Sequence, residues 1–342
     1  MRRLTAIVIA TNACNLRCSY CYHADYGYSN EYLDISRFKH FLEIVFRSGV
    51  QELSIVWHGG EPLILPKEYY KKVLEAERNY AGRMRIENEM QTNGTLLTPE
   101  YCDFLVENNF RMSFSYDGNS HLKNRGSADA TLRSMDLVRK RTGSVNAIKV
   151  VTKQEVRNLI AIYLHFSKLG INLKLLPVYP CRKVDCDLLV DPDQYADGLF
   201  ELIEYIALEP KQAILVDPLE EYRSMISGGP FRQCTHAGCL YSFICLYPNG
   251  DLFPCARLAG LVPSAANVCN LNSIDEYYHS DVFTEVVEKA IKRRIACRDR
   301  CDLYEYCLGG CQFEFETSEQ TGIGYSFDCR VLRRLMHRIL SK

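Results

Sequence analysis

Residues 1 to about 180 alternate short apolar, β-branched runs with longer amphipathic stretches, a pattern that leaves few folds open. The strand candidates are Leu4 to Thr11, Leu53 to Trp57, Arg85 to Gln91, Arg111 to Tyr116, Val145 to Val151 and Leu173 to Tyr179. Between them the period changes to that of helices, over Ser36 to Arg47, Lys67 to Tyr80, Pro99 to Asn108, Ala130 to Arg141 and Glu155 to Leu169. Thr98-Pro99 is an N-cap followed by proline at the first helical position. Six βα repeats with crossover helices imply an α/β fold with a parallel sheet, a partial (β/α)6 barrel of the TIM-like kind, two units short of closure. In such folds the chemistry sits at the carboxyl ends of the strands, so residues just past each strand should face one cavity.

After Tyr179 the pattern breaks. Residues 181–232 read as a linker with bridging helices over Gln194 to Ala207 and Leu219 to Ile226, and residues 233–342 as a separate domain of short, glycine-punctuated segments. Ten of the chain's 16 cysteines fall in that last part, so metal rather than hydrophobic core is expected to organise it. The N-terminus lacks a secretion signal and no stretch is long and apolar enough to span a membrane, which places the chain in the reducing cytoplasm, where metals claim thiols. A net charge of −1 offers no basic field for nucleic acid.

The first strand runs into Cys14-Asn15-Leu16-Arg17-Cys18-Ser19-Tyr20-Cys21, a CxxxCxxC loop. Three thiolates can each bind one iron of a four-iron cubane and leave the fourth iron open to a substrate or cosubstrate; a zinc loop is the competing reading. This spacing, with an aromatic residue before the last cysteine, resembles the signature of the radical S-adenosylmethionine (SAM) superfamily. Gly59-Gly60-Glu61-Pro62 after the second strand is similar to that family's GGEP motif, whose backbone and glutamate contact the SAM amino group. By the same resemblance Thr92 and Asn93 after the third strand and Ser115 at the end of the fourth line the SAM pocket, Tyr20 packs near the adenine, and Arg125 pairs with the SAM carboxylate, with Arg133 the alternative. The resemblance implies reductive cleavage of SAM to a 5′-deoxyadenosyl radical, with a donor such as flavodoxin or ferredoxin supplying the electron.

In the second half, ten residues, Gly250 and four more separate Cys239 from Cys255, and Cys297-x3-Cys301-x5-Cys307-x3-Cys311 is followed seventeen residues later by Cys329. This resembles the SPASM extension, named for its subtilosin, pyrroloquinoline quinone, anaerobic sulfatase and mycofactocin members, which carries two auxiliary clusters. The resemblance assigns Cys234, Cys239, Cys255 and Cys311 to the first and Cys297, Cys301, Cys307 and Cys329 to the second, giving three 4Fe-4S clusters in all. Three residues between Cys297 and Cys301, where two are usual, is a departure. Cys102 reads as an inert core thiol, Cys245 as an alternative ligand, Cys181 and Cys186 as linker thiols, and Cys269 has no role.

Family members of this kind mostly act on peptides. The sulfatase maturases among them have an aspartate after the third cysteine of the first auxiliary cluster, and here Ala256 stands there, which cannot take a proton. The expected activity is therefore modification of a ribosomally made precursor peptide, by crosslinking or oxidation, with a separate leader-binding protein as a further partner. Oxidation of a sugar or aminocyclitol alcohol, or of a sulfatase-type residue, is the alternative enzyme reading, and a non-catalytic, zinc-organised binding protein the alternative outside enzymes. Asp117, His58 and Tyr179 are the candidate proton carriers.

Overall fold

The computed structural model describes residues 2–178, 184–209, 211, 213–229, 234, 239–321 and 326–341. Tyr179 and Cys181 lie outside them. Six strands form the parallel core of the sheet: β1 (Arg2–Thr11), β2 (Val50–Gly59), β3 (Arg85–Thr92), β4 (Arg111–Ser115), β5 (Asn146–Val151) and β6 (Asn172–Pro177), each paired with the next. Beyond β6 lies the two-residue β7 (Val216–Asp217), also parallel.

The segments follow from local chemistry. Side chains of β1 alternate, so Leu4, Ala6, Val8 and Ala10 enter the main core under the helices while Ile7 and Ile9 face the opposite side. Thr98 accepts a hydrogen bond from the Tyr101 amide and Pro99 opens the helix Pro99–Glu107, as the sequence pattern implies. The bridging helix begins earlier than periodicity suggested, at Pro192, because Asp191 caps the amides of Asp193 and Gln194 in the same cap-then-proline arrangement. The helix Leu159–Leu169 starts later than Glu155, after a single tight turn, since Glu155 turns its side chain to Lys149 and Thr152.

The last third differs most from expectation. β8 (Phe243–Leu246) pairs in parallel with β1 and continues through β9 (Asp251–Phe253) to β10 (Ala266–Asn267), so one ten-stranded sheet runs from β10 through β1 to β7. Two longer helices follow, Asp281–Arg300 and Phe327–Leu340, capped by Ser280 and Ser326. Their buried residues Phe283, Val286, Leu335 and Met336 belong to the same core cluster as β1 to β6. Arg334 grips Asp197 on the bridging helix Pro192–Leu208 with bonds of 2.7 and 2.8 Å, and Arg338 adds a third at 2.7 Å. Apolar packing shared with the barrel holds this part together in addition to whatever metal it binds.

Candidate active site

The cysteine loop is seated by the two glycines after β2. Gly60 donates its amide to the Thr11 carbonyl at 2.9 Å and Glu61 to the Ala13 carbonyl at 2.8 Å. A Cβ on Gly60 would lie 1.9 Å from the Ala13 oxygen, and one on Gly59, whose φ is +114°, 2.5 Å from the Ile9 side chain. The close approach the glycines permit is thus first of all to the cysteine loop. Glu61 is buried and its carboxylate accepts from the Leu63 amide at 3.0 Å, the Thr92 hydroxyl at 2.6 Å and the Asn93 amide at 2.7 Å. Burial raises its pKa, against those three bonds. Pro62 is buried and takes the Tyr70 hydroxyl on its carbonyl. Asn93 donates to Asn15 at 2.9 Å, which closes a chain of contacts from the ends of β2 and β3 to the loop itself. Ser115, at the end of β4, accepts from Gln91 at 3.0 Å.

Asp117 is buried and receives the Tyr20 hydroxyl, the Arg125 Nε at 3.1 Å and the Val150 amide at 3.2 Å. Arg125 also places Nη1 3.5 Å from Cys18 Sγ and stacks its guanidinium over the Tyr20 ring, 5.1 Å from the centroid. Asp117 is thus held by three donors, and Arg125 is committed on two nitrogens to the protein. Its Nη2 has no protein partner among the described residues, which leaves one edge for an anion. Arg133 is exposed on the helix Asp129–Thr142, away from these groups. Tyr20 packs on Val178, Val184 and Leu188 beside Cys18.

His58, half-buried, accepts the Gly59 amide on Nδ1 at 2.7 Å, so the neutral ring carries its proton on Nε2 and has no lone pair free for base chemistry. Burial and the Arg257 charge lower its pKa to about 4. A second buried imidazole, His23, sits in an aromatic cluster with Tyr26, Tyr28 and Tyr247. With Phe253 beside Tyr26 and Tyr247, this cluster joins the segment after Cys21 to β8 and β9.

Several C-terminal thiols lie close enough for their charges to act on one another. Cys234 and Cys255 are near enough to Cys239, and Cys255 to Cys311, for each thiolate to raise its neighbour's pKa; burial, the largest effect, carries Cys239 up to about 12. Cys297, Cys301, Cys307 and Cys329 are linked in the same way. The three-residue gap has a simple cause: Cys297 lies in the last turn of Asp281–Arg300, and Cys301, one turn on, caps that helix by donating its amide to the Cys297 carbonyl. Cys102 is buried in its helix. Cys245 is fully buried in β8 with Ile9, Tyr247 and Phe253, near enough to Cys255 for that thiolate to raise its pKa, and Cys186 and Cys269 are exposed.

These donor sets fit iron-sulfur clusters. As a free thiol Cys18 is pushed up to about 11 by burial, so a bound cluster would have to supply the stabilisation that holds it as thiolate. Among the described residues no three His, Cys, Asp or Glu side chains converge on a single ion. In a cubane each thiolate binds a different iron and stands farther from its neighbours. Arg294 Nε, beside Cys239, is buried without a protein acceptor among the described residues, and a cluster sulfur would satisfy it.

A partial parallel barrel with a three-cysteine loop at the carboxyl end of its first strand, and two further thiol sets docked against it, defines an iron-sulfur enzyme with one open cluster. Residues 8–161 match the Radical SAM superfamily model. The serine-type anaerobic sulfatase-maturating enzyme of Klebsiella pneumoniae is 32% identical over 87% of this chain and 79% of its own length. The cysteine-type enzyme of Clostridium novyi is 22% identical over 97% and 94%. The chain belongs to the radical SAM superfamily, with anaerobic sulfatase-maturating enzymes as relatives; its cofactors are SAM and a 4Fe-4S cluster. The structure of native anSMEcpe with bound AdoMet and the Cp18Cys peptide superimposes with a TM-score of 0.85 over 99% of this chain and 98% of that one at 22% identity. Streptococcus suis SuiB bound to precursor peptide SuiA gives 0.67 over 91% and 72% at 17% identity. Family membership removes the non-catalytic zinc reading. Among the described residues no helix is long and apolar enough to cross a membrane.

Proposed function

We propose that this enzyme oxidises a residue of a peptide or protein substrate, with Cys14, Cys18 and Cys21 holding the catalytic cluster and the two C-terminal thiol sets the auxiliary ones. The observation that supports the reading is the seating of the cysteine loop, where Gly60 and Glu61 donate their amides to the Thr11 and Ala13 carbonyls and Arg125 places Nη1 3.5 Å from Cys18 Sγ. When bound, SAM and the cluster supply a 5′-deoxyadenosyl radical that takes a hydrogen atom from substrate carbon. The chain's own residues seat the loop (Gly59, Gly60), lock the ends of β2 and β3 together (Glu61, Thr92, Asn93), and hold Arg125 beside Cys18 with Asp117. Arg125 Nη2 would take the SAM carboxylate and Ser115 would line the rest of the pocket. The electron enters from a flavodoxin or ferredoxin.

Oxidation stands ahead of the crosslink favoured by the sequence because the relatives are sulfatase-maturating enzymes and two of the similar folds hold peptides. Ala256 in place of a carboxylate argues for a substrate other than the usual sulfatase motif, or for a proton acceptor elsewhere. The test is anaerobic incubation of the reconstituted enzyme with SAM, reductant and peptides bearing a sulfatase-type serine or cysteine, followed by mass spectrometry. Loss of two hydrogens from a serine peptide, or loss of two hydrogens together with exchange of sulfur for oxygen in a cysteine peptide, supports oxidation. A peptide unchanged while an aminocyclitol alcohol is oxidised refutes it.

A further inference from the structure

Lys149 is a charged residue in an apolar place. On β5 it shares a strand face with Ala147 and Val151, which enter the main core, and its side chain is completely buried. The ammonium is nevertheless fully engaged: it reaches both carboxylate oxygens of Glu155 at 2.8 Å, the Val150 carbonyl at 2.5 Å and the Ser120 hydroxyl at 3.1 Å. Glu155 is tied to the end of the strand, accepting from the Thr152 amide at 3.2 Å and hydroxyl at 2.8 Å. A buried ion pair adds little net stability over apolar side chains of the same volume. What the cation does here that a methionine could not is join the segment after β5 to the segment after β4.

The segment after β4 carries the groups that meet the cysteine loop. The Ser120 hydroxyl donates to the Asp117 carbonyl at 3.1 Å and accepts from Asn124 Nδ2 at 3.2 Å, so with Lys149 its proton and both lone pairs are used. Asn124 accepts the Ser19 amide, inside the CxxxCxxC loop, on its own carbonyl at 3.2 Å. Arg125, the next residue, bonds Asp117 at 3.1 Å and lies 3.5 Å from Cys18 Sγ. β5 therefore holds Asp117 to Arg125 at two points, through the Val150 amide on the Asp117 carboxylate and through Lys149 on Ser120. With the first point alone the segment could pivot about Asp117. We propose that Lys149 is a positioning residue for SAM binding: through Ser120 it fixes the His121–Asn124 turn so that Arg125 meets Cys18 with Nη2 available to the SAM carboxylate. Lys149 itself touches neither SAM nor cluster. The inference rests on reading Arg125 as the partner of that carboxylate.

The test uses the full chain, reconstituted anaerobically and kept oxidised so that SAM binds without being cleaved. SAM affinity is measured by equilibrium dialysis, beside iron content and the denaturation midpoint. Lys149→Met alone leaves the Glu155 charge buried without its partner and destabilises the chain whatever the role of Lys149. The deciding variants are therefore Lys149→Met combined with Glu155→Gln, which removes both charges, and Ser120→Ala. Both should keep their iron and a midpoint near wild type while binding SAM roughly tenfold more weakly, the worth of one charge-assisted contact. Under reducing conditions both should show a raised KM for SAM with kcat near wild type. Wild-type SAM affinity in either variant overturns the proposal, and so does a loss of affinity that only follows a loss of iron or of midpoint. Where the double variant yields no folded protein, Ser120→Ala decides. Arg125→Gln, measured alongside, tests the reading beneath: unchanged affinity there overturns the site assignment itself. Weakened affinity in Arg125→Gln with wild-type affinity in Ser120→Ala leaves the site standing and refutes the role of Lys149.

Discussion

Gly60→Ala should empty the catalytic cluster site while leaving the auxiliary ones filled. The added methyl would sit 1.9 Å from the Ala13 carbonyl oxygen and 2.5 Å from its carbon, far inside contact distance, and those are backbone atoms that cannot rotate away. Relief requires the strand-end turn and the cysteine loop to part by more than an ångström, which breaks the Gly60 and Glu61 amide bonds to Thr11 and Ala13. Each such bond contributes about 1 kcal/mol, and forced overpacking costs about 1–3 kcal/mol more. Expressed on the loop, about 3–5 kcal/mol is a hundredfold to a thousandfold or more in cluster retention. The assay is iron and sulfide content together with SAM cleavage under reducing conditions, in parallel with Gly82→Ala. That control has φ of +75° but nothing within 4 Å of its new methyl, so it carries backbone strain alone and should keep all its iron. Full iron and wild-type SAM cleavage in Gly60→Ala would refute the argument that this glycine exists to seat the cysteine loop.

Asp117→Asn removes the charge that pairs with Arg125, 9% exposed, and should cost about 3–5 kcal/mol in anaerobic denaturation and weaken SAM binding; a stable variant with normal SAM affinity contradicts the organising role. His23 is 3% exposed and burial lowers its pKa to about 4, below the ordinary 6.5. Below 6.5 the unfolded chain takes a proton that the native state refuses, so this contribution to stability is present above that pH and lost as pH falls towards 4, by up to ~3 kcal/mol. His58, shifted the same way, adds to the same slope. Denaturation midpoints across that window should flatten in His23→Phe, and an identical slope in the variant would show that the aromatic cluster is not the source. Cys245→Ala should keep every iron, because Cys245 lies in β8 among Ile9, Tyr247 and Phe253; loss of about four irons would make it a ligand.

The barrel was legible because its signals are local: apolar alternation in β1 to β6 and a cap-then-proline start at Thr98-Pro99 need no distant partner. The same logic marks Asp191-Pro192, which periodicity alone passed over. The CxxxCxxC loop was legible from its spacing, whereas the two C-terminal ligand sets rest on the SPASM resemblance. What could not be read is tertiary pairing. Nothing in Phe243–Leu246 says that four residues will extend the sheet beside β1, since that contact closes a loop of more than two hundred residues. The pairing of Asp117 with Arg125, which orients both side chains beside Cys18, could not be read from either residue alone.

The central claim is that a radical formed at the Cys14, Cys18 and Cys21 site takes hydrogen from a residue of a peptide. Its most direct test is to supply the reduced enzyme with SAM and a peptide deuterated at the side-chain carbon of its target serine or cysteine, and to weigh the 5′-deoxyadenosine produced. Deuterium in that product, lost in the triple alanine variant of the three cysteines, is the result the account predicts. 5′-Deoxyadenosine that stays unlabelled while the peptide is modified, or labelled product that persists in the triple variant, would contradict it.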